Sequence, residues 1–127
     1  MEMFAVTRSL QAEPAAVGEA RSVVRRSLEP SDESLVALVV LLADEVVTNA
    51  VVHGQGPIDI AVDVDEVRVK VMVRDRSETA PLSLRAARYA EGGRGLSIVE
   101  AVATRWGVLG AHPGKAVWFE IDRASCA

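Results

Sequence analysis

The chain holds one cysteine, Cys126, at its next-to-last position. A single thiol closes no internal disulfide, and no cysteine–histidine cluster accompanies it. The reading is a cytoplasmic protein without structural zinc. A basic excess is missing as well: 14 Lys and Arg stand against 18 Asp and Glu, a net charge of −4. Direct nucleic-acid binding, which usually shows a basic face, is not expected. Aromatic residues make up only 4% of the sequence, so Val, Ala and Leu have to supply the core. The apolar run over residues 34–43 ends at Asp44-Glu45, well short of the roughly 20 residues that cross a bilayer. No basic-then-apolar leader with a cleavage site opens the sequence, so neither secretion nor a membrane partner is expected. Internal repeats, low-complexity tracts and linkers are absent too. What remains is 127 residues, 50% hydrophobic and 25% charged. That suits one compact domain over residues 1–127 with a single core.

Everything else is organised around Leu42-Ala43-Asp44-Glu45-Val46-Val47-Thr48-Asn49-Ala50-Val51-Val52-His53-Gly54. Glu45, Asn49 and His53 recur every fourth residue, so on a helix they project within about 80° of one another. A carboxylate and an amide one turn apart on a mostly apolar helix are costly to bury without partners. Three solutions fit: a polar ligand, a metal, or a hydrogen-bonded core network.

Residues 3–10, with Phe4, Val6 and Thr7, read as an edge strand. Pro14 suits the first turn of a helix over 15–28, whose apolar stripe is Val17, Ala20, Val24 and Leu28. Arg21, Arg25 and Arg26 lie off that stripe and read as a solvated face. Glu29-Pro30 ends the helix. Ser31 is then a suitable N-cap, with Asp32 and Glu33 favourable against the dipole of the helix that follows. That second helix is expected over 32–52, roughly 30 Å long, stopped by Gly54 and Gly56. Its apolar residues wrap much of its surface, as in a central, buried helix.

After Pro57 the period changes to two. Ile58, Ile60, Val62 and Val64 alternate with Asp59, Ala61 and Asp63, and after a turn at Asp65-Glu66 come Val67, Val69, Val71 and Val73. This predicts an antiparallel hairpin with one valine face turned inward. From Asp75 to Gly92 the pattern is irregular apart from a short helical stretch at 84–89. A loop this long in so small a domain is usually functional or mobile. It closes with Glu91-Gly92-Gly93-Arg94-Gly95-Leu96 ahead of the apolar helical segment 98–103. Glycines before a helix let backbone N–H groups approach an anion at the positive helix end. Residues 106–110 and 116–121 read as a final hairpin turned by His112-Pro113-Gly114-Lys115.

Three separated features, Glu45–Asn49, Asp75 and Gly93–Gly95, occur in the order seen in a known family. The chain resembles the histidine-kinase-like (GHKL) ATPase domain shared by sensor histidine kinases, gyrase-type ATPases and anti-sigma-factor serine kinases. It is most similar to the small stand-alone anti-sigma type of actinobacteria. The segment 42–54 is similar to that family's first ATP box, Val73-Arg74-Asp75 to the start of its second, and Gly93-Arg94-Gly95-Leu96-Ser97-Ile98-Val99 to its third. Arg105-Trp106-Gly107 and Gly114-Lys115-Ala116-Val117-Trp118-Phe119-Glu120 look like its closing strands. The fold implied is an α/β (α+β) two-layer sandwich: a mixed, mostly antiparallel sheet covered on one face by helices, the Bergerat-type ATP-binding fold.

The resemblance also implies a chemistry, residue by residue. Asn49 would supply the amide oxygen for Mg²⁺, a hard cation that takes oxygen ligands. Glu45 would be the general base. Asp75 would accept the adenine amino proton. Gly93 and Gly95 would let backbone amides meet the ATP phosphates, with Arg94 near enough to assist and Leu96 in the same ATP-binding turn, and residues 76–92 would form the lid. Two departures stand out. Arg76-Ser77 replaces glycines that normally follow the aspartate, which would stiffen or crowd the adenine pocket. Ala116 takes the place of a threonine that helps hold adenine, removing a hydrogen bond of about 1 kcal/mol. His53 lies inside the ATP-binding helix and His112 in a turn, so a complete sensor histidine kinase is not expected. The implied function is an anti-sigma factor, an ATP-dependent serine/threonine protein kinase acting on an anti-anti-sigma protein. Its partners would be a sigma factor and that serine-bearing antagonist, and its state a homodimer. The alternative is a non-catalytic, nucleotide-dependent binding module that sequesters a regulatory partner. Glu45 favours the first; Arg76, Ser77 and Ala116 favour the second.

Overall fold

The computed structural model describes residues 6–53, 55–77, 94–110 and 114–126. The elements run β1 (Val6–Leu10), α1 (Ala15–Ser27), α2 (Glu33–His53), β2 (Ile58–Val64), β3 (Arg68–Asp75), α3 (Arg94–Val102), β4 (Arg105–Gly110) and β5 (Lys115–Asp122), closing with a 3₁₀ turn (Arg123–Cys126). The sheet has the order β1-β2-β3-β5-β4, and all four pairings are antiparallel. It is an α+β two-layer sandwich with helices on one face.

Alternation of β-branched residues sets the buried face of this sheet. Ile60, Val73 and Val117 lie in one cross-strand row, Val62, Val71 and Phe119 in the next, and Val64, Val69 and Ile121 in a third. Of these, Ile60, Val62, Val69, Val71, Val73, Phe119 and Ile121 are buried. Each fully buried side chain of this kind contributes about 1.5–3 kcal/mol through removal of apolar surface from water. The helices cover this face: α1 over β1 and β2, α2 over β3, and α3 beside α2 and β4.

Helix α2 is apolar around most of its circumference because it has neighbours on several sides. It packs on α1, α3 and β3, burying Leu35, Val36, Val39, Val40, Leu42, Ala43, Val46, Val47 and Ala50. Ala37, Leu41, Thr48 and Val52 remain exposed, a stripe at helical spacing. By length and composition α2 could cross a membrane; packing within the domain accounts for that composition.

Several local expectations shift. Strand β1 is seen from Val6, and residues 3–5 lie outside the described residues. Helix α2 begins at Glu33 rather than at Asp32, and the backbone N–H of Val36 donates to the Asp32 carbonyl. The Ser31 hydroxyl instead receives Arg123 Nη2 at 3.4 Å. Arg21 is not merely solvated: its Nη2 donates to Asp44 Oδ2 at 2.9 Å, linking α1 to α2. That hydrogen bond, together with the carboxylate charge, raises the Arg21 pKa. Val23, absent from the expected stripe of α1, is buried. The helical stretch at 84–89 lies outside the described residues.

Candidate functional site

On α2, Glu45 and Asn49 are half-buried at the margin of the apolar face, while His53, third in the series, is exposed. The Asn49 Nδ2 is buried and has no hydrogen-bond partner among the described residues. Leaving such a group unpaired costs about 1–3 kcal/mol. A half-turn of the amide exchanges N for O, so the position can offer a donor or an oxygen ligand. Of the three readings left open by the sequence, a closed core network is the one this amide does not support.

Asp75 is the last residue of β3. Strand alternation puts it on the same face as Val69, Val71 and Val73, beyond the end of the valine rows. It is only 4% exposed, and its neighbours hold it in place. Oδ1 accepts the Ser77 backbone N–H at 2.7 Å, and Oδ2 accepts Lys115 Nζ at 2.9 Å. Lys115 lies directly opposite Asp75 in the β3–β5 register. Gly114, just before it, has φ +101°, and a Cβ there would stand 1.9 Å from the Asp75 carbonyl oxygen. Only glycine lets the start of β5 approach so closely.

Both sequence departures look different in three dimensions. Arg76 does not crowd the Asp75 carboxylate. Its backbone N–H donates to the Gln55 carbonyl at 2.7 Å, and its guanidinium Nη2 bonds Asp59 Oδ2 at 2.8 Å. Asp59 pairs with Arg74 in the register, so both belong to the sheet face away from Asp75. Ala116 also pairs with Arg74 and lies on that other face. The residue beside the aspartate is therefore Lys115, one position earlier. Sequence reasoning missed Lys115, although period two was a usable signal: it shares a face with Val117, Phe119 and Ile121.

Helix α3 starts at Arg94, so Gly95 and Leu96 lie in its first turn. The first-turn N–H groups of a helix have no intrahelical acceptor and can bind an anion. Gly93 and residues 78–92 of the expected lid lie outside the described residues. Because α2 packs on both β3 and α3, the three motifs sit on adjoining elements. Among the described residues no three His, Cys, Asp or Glu side chains group to hold a metal by themselves. An acceptor carboxylate at Asp75 and donor N–H groups in the first turn of α3 suit a ligand with a hydrogen-bond donor at one end and an anion at the other.

The sequence matches, over residues 10–121, the family described as the histidine kinase-like ATPase domain. Among solved structures, the fold is similar to the histidine kinase domain from Erythrobacter litoralis EL346 blue-light activated histidine kinase. The TM-score is 0.56 at 16% identity, over 88% of this chain and 61% of that one. The chain thus spans less than two thirds of that relative's length, and at this identity the likeness is one of fold. No curated protein matches the sequence.

Proposed function

The chain belongs to the histidine kinase-like ATPase domain family, and from that premise we propose that it binds ATP with Mg²⁺ as a cytoplasmic regulatory protein, an anti-sigma factor that phosphorylates a serine of an anti-anti-sigma protein. The observation that carries this reading is the buried amide nitrogen of Asn49, without a partner among the described residues, one helical turn from Glu45. Mg²⁺ favours oxygen ligands and commonly shares them with substrate phosphates, and Asn49 Oδ1 would be the protein's contribution. Bound there, the ion would neutralise phosphate charge. Glu45 would take the proton from the attacking serine hydroxyl. Asp75 retains acceptor capacity, since an ionised carboxylate has about four lone-pair sites and donors among the described residues fill two. The first turn of α3, Arg94 to Leu96, together with Gly93, would meet the phosphates. A sigma factor and the serine-bearing antagonist are the proposed partners.

Calorimetry with and without Mg²⁺ tests the binding half. ATP should bind more tightly with the metal, and Asn49→Ala should remove that difference. No binding at millimolar ATP, or equal loss with and without Mg²⁺, sinks the assignment. Glu45→Gln tests the kinase half: MgATP affinity should survive within a few-fold while transfer to the antagonist falls by about 10²–10⁴-fold. Unchanged transfer means that another base acts.

One observation favours the alternative, a non-catalytic binding module: the base-site carboxylate Asp75 already carries the Lys115 ammonium. If the parent captures a sigma factor yet transfers no phosphate to any antagonist, that reading replaces the kinase.

A further inference from the structure

Resting on the reading of Asp75 as the acceptor for a nucleotide base, we propose that Lys115 is a specificity-determining residue. Its ammonium on Asp75 weakens binding of 6-amino purine nucleotides and admits 6-oxo purines. Lys115 Nζ lies 2.9 Å from Asp75 Oδ2, and the two side chains are 21% and 5% exposed. The carboxylate cannot turn away from this contact at no cost. The Ser77 N–H holds its other oxygen, and the Arg76 N–H to Gln55 fixes the backbone just beyond it. Gly114, where a Cβ would stand 1.9 Å from the Asp75 carbonyl oxygen, leaves the room that the Asp75–Lys115 register needs.

A base bearing an exocyclic amine has to share Oδ2 with the ammonium or displace it. Both bonds to the carboxylate are charge-assisted, but the ammonium adds a full charge–charge attraction that the neutral amine lacks. In a largely buried site the amine loses that competition. A 6-oxo purine meets the pair differently. Its carbonyl O6 accepts from Lys115 Nζ, which gives the ammonium a second acceptor and leaves a lone pair of Asp75 Oδ2 to the N1–H. Replacing Lys115 with a small neutral residue returns Oδ2 to the amine and turns the carboxylate against O6.

The test compares ATP with inosine triphosphate, each with Mg²⁺, by calorimetry on the full chain. The parent should bind both within about threefold. Lys115→Thr should bind ATP about tenfold more tightly than the parent does and prefer ATP over inosine triphosphate by about tenfold. Lys115→Arg, which keeps the ion pair, should behave like the parent. Lys115→Gln, closer in shape, should move in the same direction as Lys115→Thr, and it decides the matter if the threonine variant does not fold. The proposal is overturned if the neutral variants bind ATP no better than the parent. A parent that selects ATP as strongly as they do overturns it equally. If folded parent and variants all bind neither nucleotide at millimolar concentration, the nucleotide-binding reading falls, and this inference with it.

Discussion

Gly114→Ala is the sharpest structural perturbation available near the candidate site. At φ +101° an L-residue is strained whatever the surrounding space, and a backbone held in a sparsely populated region costs about 1–3 kcal/mol. The added Cβ would also stand 1.9 Å from the Asp75 carbonyl oxygen, 2.9 Å from its carbon and 3.0 Å from Arg76 Cα. Those atoms are backbone at a strand end tied to Gln55 and Ser77, so no flexible side chain can yield. The start of β5 must move off β3, which pulls Lys115 from Asp75. Together these effects come to about 3 kcal/mol, and at this chain length each kcal/mol lowers the Tm by about 3–5 °C. Thermal unfolding followed by circular dichroism should show a fall of about 10 °C. Gly110→Ala is the internal control: a Cβ there meets nothing within 4 Å and the glycine has no positive φ, so stability should stay within about 0.5 kcal/mol. A Gly114→Ala protein within about 1 kcal/mol of the parent, or a control that falls as far, would refute the reasoning.

Three further outcomes are expected. Asn49→Ala removes a buried amide nitrogen that has no partner among the described residues, so urea melts should show stability unchanged or higher while Mg²⁺-dependent nucleotide binding is lost; clear destabilisation would mean that the amide is satisfied structurally. In the turn between β2 and β3, the N–H groups of Arg68 and, secondarily, Val67 hold the Asp65 carboxyl below its ordinary range. A depressed folded pKa means a contribution fully present above about pH 3.9 and lost as pH falls through the lower folded value; Asp65→Asn should therefore be destabilised at pH 7, with the gap to the parent closing below about pH 3.9, and a pH-independent gap counts against this. Light scattering at high micromolar concentration should give a dimer mass if the edge strand β1 pairs between subunits, and a monomer mass rejects that proposal.

How much could be read in advance depended on whether the cause was local. The β2–β3 hairpin was legible because period two and β-branched residues act within a few positions. Helix α2 was legible from its length and its stop signals. That β5 inserts between β3 and β4 is written in no local pattern; it follows from matching the Val117, Phe119 and Ile121 face to the valines of β3. Glu45 and Asn49 stood out because polar groups on an apolar helix are costly wherever they end up. Lys115 did not, because its partner lies 40 residues away; period two gives its face, but the register is needed to give its partner. Placing Ala116 beside Asp75 was a one-residue slip, and in a strand such a slip moves a side chain to the opposite face. Ser31 reads locally as a helix cap, yet it receives Arg123 from 92 residues further on.

The two ends of the sheet differ in a way that bears on function. At the Asp65 end the turn is fully knitted: Asp65 accepts two backbone N–H groups, the Arg123 N–H donates to the Val67 carbonyl, and Arg123 Nη1 reaches the Asp65 carbonyl. Each of these contacts pairs a polar group of the turn within the fold. The Asp75 end carries the opposite kind of feature. A buried carboxylate sits against an ammonium, a glycine holds φ +101° under a backbone carbonyl, and Arg76 Nη1 is buried without a partner among the described residues. Gln55, just beyond α2, ties that helix to the same strand end, and Asn49, with its orphan amide, lies one turn before the helix stops. Such costs persist only where surrounding structure enforces them, and in natural proteins they gather at functional sites. The hairpin core supplies the stability that lets the Asp75 end keep such groups, and under the proposed function Asn49 and Asp75 are the ones that a nucleotide and its metal would engage.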